Sequence, residues 1–201
     1  MHSVYGGDEL RLLCCAGKDT DGRFHKKGDS GRKASSIWDS GRRAFDEEID
    51  PVFAKEALGL DPDGHYVLLT GGSIGAGDMK KTIRILLNKF KCDKVDGKLI
   101  VVCGNNEKLY QHLQKEYGDR LILIRKTNQM ALYMKACDIF LSKPGGLSST
   151  EAAVAQVPYI HMNPIPGCES KNVKYFSKTG MSIAVRHPRL ELGLSLIHIS
   201  E

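Results

Sequence analysis

Residues 138–162 read DIFLSKPGGLSSTEAAVAQVPYIHM. DIFLS (138–142) is an apolar run of strand length, Lys143-Pro144-Gly145-Gly146 breaks it, a helical stretch follows over about 148–156, and PYIHM (158–162) is apolar again. Strand, turn, helix and strand in that order build one unit of a parallel sheet, because the helix carries the chain back to the edge from which the next strand starts.

Outward from this unit the alternation continues. Upstream are HYVLLT (65–70), a Gly-rich turn, a helix over about 78–90, KLIVVC (98–103), a helix over about 106–117, LILIR (121–125) and a short helix over about 128–136. Downstream, a helix over about 169–178 leads to MSIAV (181–185). The strands are continuously apolar rather than alternating, which predicts an α/β fold with a parallel sheet covered by helices on both faces. Asp50 and Pro51 suit the cap and first position of a further short helix, PVFAKEAL (51–58), which Gly59 is placed to end. Asp61-Pro62-Asp63, between Leu60 and Gly64, reads as a turn rather than a metal-binding pair.

Composition excludes several classes. Of the 201 residues, 41% are hydrophobic and 26% charged, near globular averages, which argues against disorder, collagen-like sequence or a coiled coil for the chain as a whole. No apolar run approaches the roughly 18–20 residues of a membrane span. The opening MHSVYGGDELRLLCC carries charges where a signal peptide needs its apolar stretch, so a cytoplasmic chain without an integral anchor is expected. The six cysteines form no C-x-x-C pair, which favours reduced thiols over a disulfide framework or a zinc site. A net charge of +5 with no dense Lys/Arg block does not indicate a nucleic-acid partner. Residues 1–45 are glycine-rich with little to bury, and are expected to be an irregular remnant or linker ahead of a domain spanning 46–187.

Ligands of such sheets bind outside the carboxyl ends of the strands. Three loops there stand out. Gly71-Gly72-Ser73-Ile74-Gly75-Ala76-Gly77 leaves a strand and opens a helix, so its backbone can approach a phosphate that the helix N–H groups then bind. It lacks the Lys-Ser/Thr ending of a P-loop and the strict G-x-G-x-x-G of a dinucleotide fold. Cys103-Gly104-Asn105-Asn106 also offers no acid for an NAD ribose. Lys143, Gly145, Gly146 and the hydroxyls of Ser148, Ser149 and Thr150 form a second anion site at a helix start. Glu151 has two readings that do not exclude each other: the far end of a capping box begun by Ser148, or a carboxylate accepting from two ribose hydroxyls. The third loop, Asn163-Pro164-Ile165-Pro166-Gly167-Cys168-Glu169, fixes an irregular backbone at the same edge, ahead of Asn172.

Taken in order and spacing, GGSIGAG, IVVCGNN, KPGGLSSTEAAVAQVPYI and NPIPGCESKN resemble the C-terminal, donor-binding domain of glycosyltransferase family 28 over about residues 52–185. The likeness is nearer to the diacylglycerol glycosyltransferases, of monogalactosyldiacylglycerol-synthase type, than to the enzyme that adds N-acetylglucosamine to the lipid-linked peptidoglycan precursor. It implies a Rossmann-like sheet forming one half of a two-domain GT-B fold, a UDP-sugar donor, no cofactor or metal, and inverting transfer to a lipid. Gly71, Gly72, Ser73 and Gly75 match the family's diphosphate loop. Gly145, Gly146 and Ser148 match its second helix-start loop, and Glu151 its ribose-binding acid. Backbone near Lys126 matches the strand end that reads uracil, although glycine and an aromatic usually stand where Arg125 and Lys126 do. Gly167, Cys168, Glu169 and Asn172 match the turn facing sugar and diphosphate, with Cys168 in place of the usual Gln.

The resemblance places the catalytic base and the acceptor groove in an N-terminal domain, and residues 1–45 show neither. It puts the full-length enzyme on the cytoplasmic face of a membrane, held peripherally. None of the seven histidines reads as the base; His65 and His161 fall in strands as packed or edge residues, and His112 lies on an amphipathic helix. The closing SLIHISE resembles translated adapter sequence, so 188–201 is expected to be a non-native tail. Readings of other classes are a UDP-sugar epimerase and a non-catalytic nucleotide-binding module.

Overall fold

The structure, a computed structural model, describes residues 45, 48–71, 79–162 and 168–184. Among the elements with described bounds, helix α1 (Pro51–Ala57) comes first. β1 (His65–Thr70), α2 (Met79–Asp93), β2 (Gly97–Val102), α3 (Glu107–Tyr117), β3 (Leu121–Ile124), α4 (Met130–Ala136) and β4 (Ile139–Ser142) follow. The series ends with α5 (Gly146–Ala155), β5 (Tyr159–His161), α6 (Cys168–Lys178) and β6 (Ile183–Ala184).

Among the described residues six strands form one sheet in the order β3-β2-β1-β4-β5-β6, and every pairing is parallel. Alternate residues of β1 serve opposite faces, as strand geometry requires. Val67 and Leu69 join Ile83 and Leu86 of α2, Leu113 of α3 and Leu141 in one core. Tyr66 and Leu68 join Met134 of α4, Ala152 of α5 and Tyr159 in the other. Both faces are therefore covered, which is why these strands read as unbroken apolar runs.

Local chemistry sets the element ends. The Asp50 carboxylate accepts from the N–H groups of Val52 (2.8 Å) and Phe53 (3.2 Å), and Gly59 leaves the helix at φ 67°. α2 runs three residues past the expected end, to Asp93, and Lys94 then leaves it at φ 54°. Asp61 to Gly64 is the expected turn: the Asp61 side chain accepts from Asp63 N–H (3.1 Å), its carbonyl from Gly64 N–H (3.1 Å). Of the expected MSIAV, Ile183 and Ala184 pair with β5 as β6, Met181 and Ser182 lie ahead of it, and Val185 is outside the described residues.

β1 lies between β2 and β4, so connections leave it to one side and return on the other. That reversal opens a crevice between the carboxyl ends of β1 and β4, the place where sheets of this order hold ligands. Among the described residues no helix is long and apolar enough to cross a membrane.

Candidate functional site

The carboxyl edge begins with a row of polar residues. Thr70, Ser142 and His161 each close an apolar strand and stand side by side, Thr70 in register with Ser142 and Ser142 with His161. All three are buried, and the Thr70 hydroxyl donates to Ser142 Oγ at 3.0 Å. Buried polar groups at a strand end are tolerated only when bonded in this way.

Beyond Ser142 the chain turns into α5. The Lys143 carbonyl accepts from the Gly145 N–H (2.7 Å) and from the Tyr159 hydroxyl (2.8 Å), and the Pro144 carbonyl accepts from Asn172 Nδ2 (2.9 Å). Three donors thus occupy the two carbonyls of the turn. Gly145 caps the helix at φ −67°, ψ 145° with no side-chain hydrogen bond, and the first intrahelical bond is from Ser149 N–H to its carbonyl (3.0 Å). The N–H groups of Gly146, Leu147 and Ser148 therefore have no intrahelical acceptor, and the first turn has no acidic residue to offset them. α1 and α3 differ, since Asp50 and Asn106 cap them. An uncapped helix start beside the sheet crevice suits an anion.

This geometry corrects the capping-box expectation. The helix starts at Gly146, two residues earlier than expected, so Ser148 is its third residue and Glu151 its sixth, beyond reach of the cap. The Thr150 hydroxyl donates to the Gly146 carbonyl (2.8 Å) and the Ser149 hydroxyl lies 3.3 Å from His161 Nε2. Glu151 is partly buried in the second turn, where desolvation pushes its pKa above the usual carboxylate value.

Gly71 is buried at the end of β1, directly beside the Ser142–Lys143 corner. Gly72, Ser73, Gly75 and Gly167 lie outside the described residues. Cys168 is the first residue of α6, and its side chain also lies outside the described part. Glu169, in the first turn of α6, and Glu151 both bear electrostatically on the Tyr159 phenol. Asn172 braces the Pro144 carbonyl, so its amide nitrogen is engaged by the loop itself.

Lys126 is exposed just past β3, three strand positions from β4, or about 14 Å at about 4.8 Å per strand. Next to it, the Arg125 guanidinium lies over the Tyr110 ring (3.8 Å to the centroid) and bonds Glu107 (3.1 and 3.4 Å). Asn106 is spent on capping α3.

His65 is the exposed first residue of the central strand β1, 3.6 Å from Asp138, and His112 pairs with Glu116 on the exposed face of α3. Among the described residues no group of three His, Cys, Asp or Glu could hold a metal. Reading the motifs missed Tyr159 and the Ser149–His161–Ser182 contact. Their signal was present: Thr70, Ser142 and His161 are polar residues closing runs that are otherwise apolar.

Sheet order, parallel pairing and a helix start at the reversal point define the class of fold: a Rossmann-like α/β unit. The solved glycosyltransferases of similar fold include MurG of Acinetobacter baumannii, with a TM-score of 0.51 at 18% identity over 78% of this chain and 46% of that one. A glycosyltransferase of kitacinnamycin gives 0.52 at 16%, over 70% and 36%. The chain belongs to glycosyltransferase family 28, whose C-terminal domain matches residues 66–197. Among its relatives, the processive diacylglycerol beta-glucosyltransferase of Bacillus mycoides is 30% identical over 79% of this chain and 41% of its own length. Monogalactosyldiacylglycerol synthase 2 of Arabidopsis thaliana is 32% identical over 73% and 34%. The chain thus spans well under half the length of these relatives.

Proposed function

We propose that this chain is the donor-binding part of an inverting, metal-independent glycosyltransferase that moves a hexose from a UDP-sugar to the hydroxyl of diacylglycerol at the cytoplasmic face of a membrane. The observation that carries the proposal is the uncapped start of α5 at the β1/β4 crevice. In this reading its three N–H groups take the diphosphate, Glu151 takes the ribose hydroxyls, and the base lies toward the end of β3 near Lys126. The distance between the two strand ends is comparable with an extended nucleoside diphosphate. The acceptor oxygen attacks the anomeric carbon, the bond to the diphosphate breaks, and its electron pair leaves with UDP. Oriented N–H dipoles favour that departure because they meet the charge as it develops. The acceptor proton passes to a base on the other half of the enzyme. Relatives named as diacylglycerol glycosyltransferases favour that lipid over a peptidoglycan precursor, since the likeness to MurG concerns the fold alone.

Titration of the purified chain with UDP by calorimetry tests the reading. Saturable binding is expected, and no heat or NMR shift at millimolar UDP would sink it. Glu151→Ala should weaken UDP by about tenfold, the loss of a charge-assisted hydrogen bond, while leaving inorganic pyrophosphate nearly unchanged.

A further inference from the structure

His161 is 1% exposed at the end of β5, and each of its ring nitrogens meets a serine on a different element. Nε2 lies 3.3 Å from Ser149 Oγ in α5, and Nδ1 lies 3.1 Å from Ser182 Oγ just before β6. The ring is nearly perpendicular to both Tyr159, with centroids 4.3 Å apart, and Phe176 of α6, at 6.2 Å. Tyr159 in turn holds the Lys143 carbonyl. Apolar side chains would fill such a place without hydrogen-bonding demands, so a histidine with two directed contacts is there for direction. Burial lowers its pKa to about 4, so at neutral pH the ring is uncharged, with one donor and one acceptor nitrogen. One serine must therefore donate and the other accept, which holds both hydroxyl oxygens against the ring.

We infer that His161 is a positioning residue: through Ser149 it locks the first turns of α5 to the ends of β5 and β6, so that the open N–H groups of residues 146–148 keep one direction toward the crevice. The inference rests on the proposed binding of a nucleoside diphosphate there. His161 touches no ligand in this scheme. It sets the direction of the groups that do.

The test uses the full chain with His161→Phe, which keeps a ring and loses both bonds, and Ser149→Ala, which loses one. UDP, pyrophosphate and uridine are titrated against each, and backbone amide NMR spectra are recorded without ligand. Both variants should weaken UDP and pyrophosphate by about tenfold, the worth of one net hydrogen bond, and leave uridine unchanged. Their amide shifts should concentrate in residues 143–150, and the double variant should be no worse than His161→Phe. Folded variants that bind UDP as the parent does, or that lose uridine equally, overturn the inference. If the parent binds no UDP, the nucleotide reading fails by itself. The positioning role then stands when the amide shifts localise to 143–150 and falls when they do not.

Discussion

Glu151 occupies a place where a carboxylate is unfavourable on its own account. Partial burial raises its pKa above 4.5, with desolvation the cause, so the folded chain holds its proton more tightly than the unfolded chain does. For an acid with a raised folded pKa, stability falls as pH rises from the unfolded value through the folded one, and the loss persists at neutral pH. Glu151→Gln should therefore raise the unliganded melting temperature at pH 7, with the gain vanishing below about pH 4, and should weaken UDP. Thermal melts across pH 3–8 beside UDP titrations check both arms. A variant with lower stability at pH 7 would mean that the carboxylate has a structural partner. A residue that costs stability and serves a ligand is the usual trade at a binding site. Its acid character was legible in KPGGLSSTE, but its burial was not, because burial depends on how α5 lies against the sheet.

The same limit shows in α5 as an element. Apolar runs alternating with helical stretches located all six described strands and the helices between them, since a strand buried on both faces must be apolar throughout. The start of α5 was misread because S-x-x-E mimics a capping box, whereas tertiary contacts decide where the helix begins. Asn172 holds Pro144, Tyr159 holds Lys143, and His161 engages Ser149, which pulls the first turn two residues upstream. Gly145 was left as a cap without a side chain. A Cβ there would meet nothing within 4 Å, and its φ of −67° suits any residue. Gly145→Asp should then supply the missing cap and an opposing charge, stabilising the unliganded chain by a few tenths to about 1 kcal/mol. The same carboxylate would occupy and repel the anion position, so UDP binding should fall at least tenfold while uridine binding holds. Urea denaturation and calorimetry on this one variant give both numbers. Stabilisation with undiminished UDP affinity would place the diphosphate elsewhere.

At the scale of the molecule, parallel pairing could be read from sequence but the order β3-β2-β1-β4-β5-β6 could not, because buried apolar strands carry little information about which neighbour each takes. That order makes the ends of β1 and β4 adjacent, and so gathers loops more than 60 residues apart in sequence into one crevice. It also limits what the described sheet can do alone. In an inverting displacement the acceptor oxygen and the leaving diphosphate lie on opposite sides of the anomeric carbon. If the start of α5 holds the diphosphate, the base must face this carboxyl edge from across the sugar, on a second body. The Bacillus mycoides relative matches this chain over 41% of its own length, which leaves more than half of it to supply such a body. The chain by itself should therefore bind UDP yet transfer no glucose from UDP-glucose to diacylglycerol in mixed micelles. Joined to the upstream part of that relative, it should give a glycosylated lipid detectable by mass spectrometry, and Glu151→Ala in the joined protein should raise KM for the donor more than it lowers kcat. Transfer by the chain alone would put the base on this sheet. A joined protein that binds UDP and diacylglycerol but forms no product would refute the division of labour between the two halves.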